Sequence, residues 1–378
     1  MEAKRERERL LYSLLVGVLM LEVLPMSSQQ LDSFEKWVAL QQTSGDKNTV
    51  EQKLDAAVVS AEAGRVEKTS VDPTNTFFGP DDGFYKTIAE AIATIPDNSK
   101  QRYVIKLKPG YVFHEKVFLG QSKPFVTFKS EPTNPAVVVW NDTATTPGTD
   151  GKPLGIDNSS TVSIESDYFI GYGIIFKNDA TPTNAQAPAL RLAGSKAIIF
   201  NCTIDGGHGS LYDQKGLHYF KASVIKGTID FIFGFARSLY EECMIISMNE
   251  KIGDVPTAQK QETSETTVKG DIGFSYKNCT IKGEEGKKIY LGRSCERAIY
   301  SLSEMGSEVV PIVWDGVNIQ KAQSGIYYGE FMCHGAGSDL SKKAGWALSL
   351  TEAQAKPFLD INFVSGGSWI IPLPPSKE

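Results

Sequence analysis

The sequence predicts an all-β fold, a β-helix of short stacked strands with one N-terminal helix and external loops that form a groove. Three observations point to it. Short runs rich in β-branched and aromatic residues recur along the chain with turn residues between them. Two of these runs, IIFNCTIDG (198–206) and FSYKNCTIKG (274–283), nearly repeat each other. The repeating unit is strand–turn–strand rather than strand–helix, and from GIIFKND onward it recurs roughly every 20 to 35 residues, as in a stacked array where each unit buries its face on its neighbours. A β-sandwich is the alternative arrangement, but 378 residues are long for one and the NCT repetition would go unexplained.

The elements follow in order. MEAKRERER carries Lys4, Arg5, Arg7 and Arg9, then comes an apolar run from Leu10 to Leu21, then Pro25, Ser27 and Ser28. This pattern predicts a secretory signal peptide over residues 1–28. The run is short of the roughly 20 residues a spanning helix needs, so no stable membrane insertion is expected after cleavage. Three acidic residues in the basic region, and no clean small-x-small cleavage site, leave an uncleaved anchor as the alternative. Residues 29–76 are polar and weakly patterned, an N-terminal arm with one amphipathic helix around FEKWVALQQ. The main domain is expected over 77–378. It opens with FYKTIAEAIATIP (84–96), whose apolar spacing predicts a helix that stops at Pro96. The strand-like runs come next, from RYVIKLKPG to AIYSLSEMGS.

Composition excludes some functions. Hydrophobic residues make up 41% and charged residues 22%, enough apolar material for a sizeable core. The net charge of -6 lacks the basic face that nucleic acid requires, so no nucleic-acid partner is expected. Of the five cysteines (Cys202, Cys243, Cys279, Cys295 and Cys333), three lie in strand-like runs and read as small buried hydrophobes. An odd count leaves one unpaired, and the pairing stays open. With no C-x-x-C and four scattered histidines, no metal is expected. Sequons stand at Asn141, Asn158, Asn201 and Asn278; the first two, in polar stretches, read as glycan sites, and the last two, in NCT runs, as buried.

One run asks for more than structure. IKGTIDFIFGFA (225–236) places Asp230 among β-branched and aromatic residues, between glycines. Read as a buried strand, it makes the carboxylate costly unless paired, which leaves a structural ion pair or a catalytic group. Three other stretches accompany it: NAQAPALRL with Gln186, YLGRSCERAIY with Arg293, and GGHGSLYDQKGLHYFKAS just upstream.

Together these motifs resemble the plant pectinesterases, also called pectin methylesterases. The likeness runs from about Phe77 through YYGEFMCHGAGSDL to the closing FVSGGSWI, and DQKGLHYFK resembles the pollen-type members in particular. The resemblance implies a right-handed parallel β-helix, secreted to the plant cell wall, acting as a monomer on the methyl esters of pectin (homogalacturonan). It implies that Asp230 is the nucleophile that attacks the ester carbonyl, that Arg293 holds and ionises it, and that Gln186 donates to the oxyanion. Phe231 and Tyr212 are the implied substrate contacts, and no cofactor is implied, because every role in the mechanism belongs to a side chain.

The chain departs from the family pattern at the same site. Counting back from Asp230 to the family's Gln-Asp-Thr lands on His208, Gly209 and Ser210, so the second oxyanion glutamine is His208 and the general acid/base aspartate is Gly209. Proton transfer of this kind contributes about 10²–10⁴-fold in rate. His208 has the right chemistry to substitute, and Asp205 and Asp213 are close in sequence. After LGR the family's Pro-Trp is Ser294-Cys295, which removes an aromatic platform. The family's Gly-x-Tyr-x-Glu appears as PGYVFHEKV, with Phe113 near the tyrosine and Glu115, Lys116 and Val117 kept. Two readings remain, a pectinesterase of impaired turnover and a catalytically silent homologue that binds pectin or a wall partner. A lyase or polygalacturonase would need a calcium cluster or paired aspartates that are not evident.

Overall fold

The computed structural model describes residues 76–78, 85–100, 102–181, 185–248, 257–258, 272–284, 289, 291, 297–309, 327–339 and 347–370. All belong to one compact unit, Thr69–Ile370. The signal peptide expected over 1–28, the arm over 29–76 apart from Thr76, and the helix around FEKWVALQQ lie outside the described residues.

Among the described residues the strands form three sheets, of eleven, eight and six strands. A complete coil contributes one strand to each sheet, and the coils at the ends contribute fewer. Ala197–Phe200, Thr203–Asp205 and Leu211–Asp213 make one coil, and Leu217–Lys221, Val224–Gly227 and Ile232–Phe233 the next. Equivalent strands pair in parallel, as Ile198 with Tyr219, Ile204 with Ile225 and Leu211 with Ile232. In the largest sheet the offset between paired residues of neighbouring strands is 20 from Leu217 to Arg237 and 36 from Arg237 to Gly273, and it reaches 43 from Thr127 to Ile170, so the coil length is not constant. This is the parallel β-helix that the recurring runs predict.

The NCT repetition has a geometric cause. The corner from the eleven-stranded to the eight-stranded sheet is repeatedly one left-handed residue followed by one small inward residue. Asn201, Ala222, Glu242, Asn278, Leu302 and Met332 hold φ of 50°, 47°, 55°, 51°, 54° and 50°. Asparagine tolerates this region better than most side chains. The residues that follow, Cys202, Ser223, Cys243, Cys279 and Ser303, are buried, and Ser223 and Ser303 accept from the backbone N–H of Cys202 and Cys279 at 3.2 and 3.0 Å. The cysteines of the strand-like runs are therefore buried free thiols. Burial pushes the Cys202 thiol up to about 12. The same corner corrects the expectation for two sequons: Asn278 is exposed and Asn201 half-buried, because a left-handed corner turns its own side chain away from the core.

Inside the largest sheet, residues in register stack face to face. Phe220, Tyr240, Tyr276 and Tyr300 lie at centroid spacings of 4.4, 4.7 and 4.5 Å with near-parallel rings. Offset stacking of this kind adds to the area these rings bury.

The helix of FYKTIAEAIATIP, α1, spans Ile88–Thr94, starting later than its apolar spacing predicts because Thr87 caps it. A second capping group comes from another coil: the Glu115 carboxylate accepts from the N–H groups of Ile88 and Ala89, both at 2.8 Å. These donors have no intrahelical partner, and a negative charge at this end is favoured. The rest of PGYVFHEKV is also structural, with Phe113 and Val117 in the core and Lys116 paired to Asp142 at 2.6 Å. Glu115→Ala is therefore expected to cost about 1–2 kcal/mol, read as a lower urea midpoint at unchanged slope. Glu115→Gln should recover part of it. Among the described residues a further short helix, α2 (Glu352–Ala355), is closed by a capping box between Thr351 and Gln354.

Candidate active site

IKGTIDFIFG, expected as one buried strand, is two strands and a corner. Val224–Gly227 belongs to the eight-stranded sheet and Ile232–Phe233 to the six-stranded sheet. Asp230 sits on the corner between them, half-buried, with φ 46°. The flanking glycines make the corner tight. A Cβ on Gly227 would lie 2.2 Å from the Cβ of Phe231, and one on Gly234, where φ is 138°, would lie 1.9 Å from the Asp213 carbonyl oxygen. The carboxylate is thus displayed at the turn rather than inserted into the core.

Stacking brings the other residues to the same corner. Leu211 pairs with Ile232, so Gly209 in one coil is equivalent to Asp230 in the next. Gly209 donates its N–H to Ile229 at 3.0 Å and has φ 73°, the same left-handed conformation. One coil earlier, Ala187 donates to the carbonyl of His208 at 2.8 Å, which sets Gln186 level with His208. A Cβ built on Gly209 would lie 3.4 Å from Cγ of Gln186 and 3.0 Å from Cε1 of Phe233. Position 209 therefore lies between the amide and an aromatic ring, one coil from the carboxylate. Gln186 and His208 are both half-buried.

Phe233 is half-buried and stacks on Tyr212 at 4.5 Å with 9° between the rings. Tyr212 is buried, at 6% exposure. The substrate contact expected at Phe231 is corrected. Its side chain is fully buried in the core, and Phe233, two residues on, carries the outward ring. Strand alternation after the inward Ile232 turns Phe233 outward, while Phe231 precedes the strand and does not follow that alternation.

The carboxylates near His208 in sequence are committed elsewhere. Asp205 pairs with Lys226 at 3.2 Å. Asp213 is fully buried, bonded to Nδ1 of His218 and accepting from the Tyr240 hydroxyl at 2.7 Å, while Nε2 of His218 donates to the Gly194 carbonyl at 2.7 Å. Of the four histidines, His208 is the one placed on the corner with Gln186 and Asp230. Arg293, with Ser294 and Cys295, lies outside the described residues. Among the described residues no group of three or more His, Cys, Asp and Glu side chains is arranged to hold a metal.

A half-exposed carboxylate, a carboxamide donor, an imidazole and an outward aromatic pair at one corner form a set suited to acyl chemistry on a carbohydrate. The family model for pectinesterase matches residues 79–367. Pectinesterase QRT1 of Arabidopsis thaliana is 35% identical over 293 residues, 75% of each chain. Pectinesterase 2 of Olea europaea is 31% identical over 92% of this chain and 91% of its own. Among solved structures, the pectin methylesterase from carrot superposes with a TM-score of 0.69 at 26% identity, over 82% of this chain and 99% of that one.

Proposed function

This chain belongs to the pectinesterase family, and from that premise we propose that it hydrolyses the methyl esters of homogalacturonan, at a rate limited by its lack of a carboxyl proton donor at position 209. One observation carries the reading: Asp230, Gln186 and the Tyr212–Phe233 pair meet at one corner of successive coils. An oxygen of the Asp230 carboxylate attacks the ester carbonyl carbon. The N–H of Gln186 donates to the oxygen that gains negative charge. The C–O bond to methoxide then breaks, methanol departs with one proton, and water cleaves the resulting anhydride to release pectate and regenerate Asp230. Arg293 orients the nucleophile. His208 supplies the proton to the leaving oxygen and takes one from the attacking water, the two transfers for which Gly209 has no side chain. The Tyr212–Phe233 pair holds the sugar. The protein works outside the cell as a monomer, after removal of residues 1–28.

Methanol release from highly methylated pectin, measured across pH 5 to 9 on the protein lacking residues 1–28, tests the reading. Slow turnover is expected, falling to background in Asp230→Asn. Turnover that survives in Asp230→Asn would remove the nucleophile from that position. A second reading, a silent homologue that binds pectin, is favoured by one observation: the Phe233 ring stands beside the bare Cα of Gly209. Pectin binding with no methanol at any pH would select it.

A further inference from the structure

The outward side of the six-stranded sheet carries a row of residues in register that extends beyond the candidate site. Phe233 pairs with Tyr212, Tyr212 with Arg191, Arg191 with Ser163 and Ser163 with Phe118. The residues that alternate with this row, among them Val117, Leu119, Leu190 and Leu192, all point into the core. Phe118 is 59% exposed. Two other large apolar side chains are exposed among the described residues, and both stand away from this sheet: Val112 is in the eight-stranded sheet and Met332 on the first corner. Four strand spacings separate Phe118 from Phe233, about 19 Å at roughly 4.8 Å each.

Between the two aromatic ends the surface is acidic. Arg191 is held by the Ser163 hydroxyl at 2.7 Å and by Glu165 at 2.9 Å, with Asp157 at 3.6 Å from its Nε. The side chains of Asp157 and Glu165 are 55% and 36% exposed, whereas that of Arg191 is 10% exposed. Two carboxylates face solvent over one covered guanidinium. Such a surface repels free galacturonate and accepts the uncharged methyl ester.

We infer that this row is a distal subsite for the polymer, with Phe118 as a sugar-stacking platform and a methyl-esterified stretch of the same galacturonan chain as its occupant. The inference rests on the proposed function. Its occupant is argued from continuity with the candidate site, through unbroken register, and from the charge of the surface between. The Phe118 ring contributes only to chains long enough to reach it.

Calorimetric titration tests it, on the protein lacking residues 1–28 in an Asp230→Asn background so that esters survive. The probes are a methyl-esterified trimer, a methyl-esterified decamer and a demethylated decamer of galacturonate. Phe118→Ala is expected to weaken the esterified decamer about three- to tenfold, the scale of one aromatic contact, and to leave the trimer unchanged. Phe118→Trp should keep the decamer affinity, and the demethylated decamer should bind more weakly with no dependence on residue 118. An unchanged decamer in Phe118→Ala, or equal loss for both lengths, overturns the inference. So does a change confined to sedimentation, which would make Phe118 a contact between copies. Equal affinity for esterified trimer and decamer before residue 118 is changed overturns the distal subsite alone. Failure to bind either length rejects the proposed function, and the inference with it.

Discussion

Gly209→Asp is expected to raise methanol release by up to about 10²–10⁴-fold, the whole contribution of a positioned proton donor less the part that His208 already supplies. The backbone is ready for the residue. Gly209 has φ 73°, and its equivalent one coil later, Asp230, is an aspartate at φ 46°. Aspartate is among the side chains that tolerate this conformation. Space is nearly sufficient. The new Cβ would stand 3.0 Å from Cε1 of Phe233 and 3.4 Å from Cγ of Gln186, so the ring edge must yield by a few tenths of an ångström. The neighbouring Gly207 has open space where its own Cβ would stand. Gly209→Asn is the control, with the same shape and no transferable proton; it should stay at the native rate. If Gly209→Asp folds and gains nothing, the defect lies in substrate hold, at Ser294 and Cys295, rather than in proton transfer.

Asp213→Ala is expected to destabilise the fold by about 3–5 kcal/mol, the range for removing one partner of a buried charged pair. The network around it spans four successive coils, from the Gly194 carbonyl through His218 and Asp213 to the Tyr240 hydroxyl. A carbonyl only accepts, so Nε2 of His218 donates to Gly194, and Nδ1 faces the Asp213 carboxylate. Tyr240 donates to the other carboxylate oxygen. Burial first, and then the Asp213 charge, push the Tyr240 hydroxyl well above its usual range, so it stays a donor. Alanine would leave the Nδ1 of His218 and the Tyr240 hydroxyl without Asp213 in a region with no solvent, since all three residues are fully buried. Urea unfolding at pH 7 measures the loss. Asp213→Asn, which still accepts from Tyr240, should lose less, and a change under about 1 kcal/mol for Asp213→Ala would show that the network carries little of the stability.

The two cases differ in how much of each was legible beforehand. Position 209 could be read as a glycine where the family has an aspartate, because a motif is a local string. Its neighbours could not, since Gln186 and Phe233 are more than twenty residues away on either side and meet it only through register. Asp213 read as a spare acid near His208. Strand alternation about Tyr212 turns it inward, and only then do His218 and Tyr240 become its partners.

By itself the sequence determined the stacked β architecture, the helix before Pro96, the buried cysteines of the NCT corners, and the resemblance that placed Asp230, Gln186 and His208 among the functional candidates. Those are consequences of local composition and of a period that repeats within a few residues. The tertiary structure decided which way each side chain faces at the corners: Phe231 in and Phe233 out, Asp230 on a turn rather than in a strand, Asn278 exposed, and Glu115 spent on capping α1. It decided also that Phe118 shares a row with Tyr212 and Phe233. The reason is that the register offset between neighbouring strands of the largest sheet varies from 19 residues (Gly329 with Leu348) to 43 (Thr127 with Ile170). No fixed interval in the sequence reports which residues lie side by side, and that pairing is set by inter-coil hydrogen bonds and by the packing of a shared core.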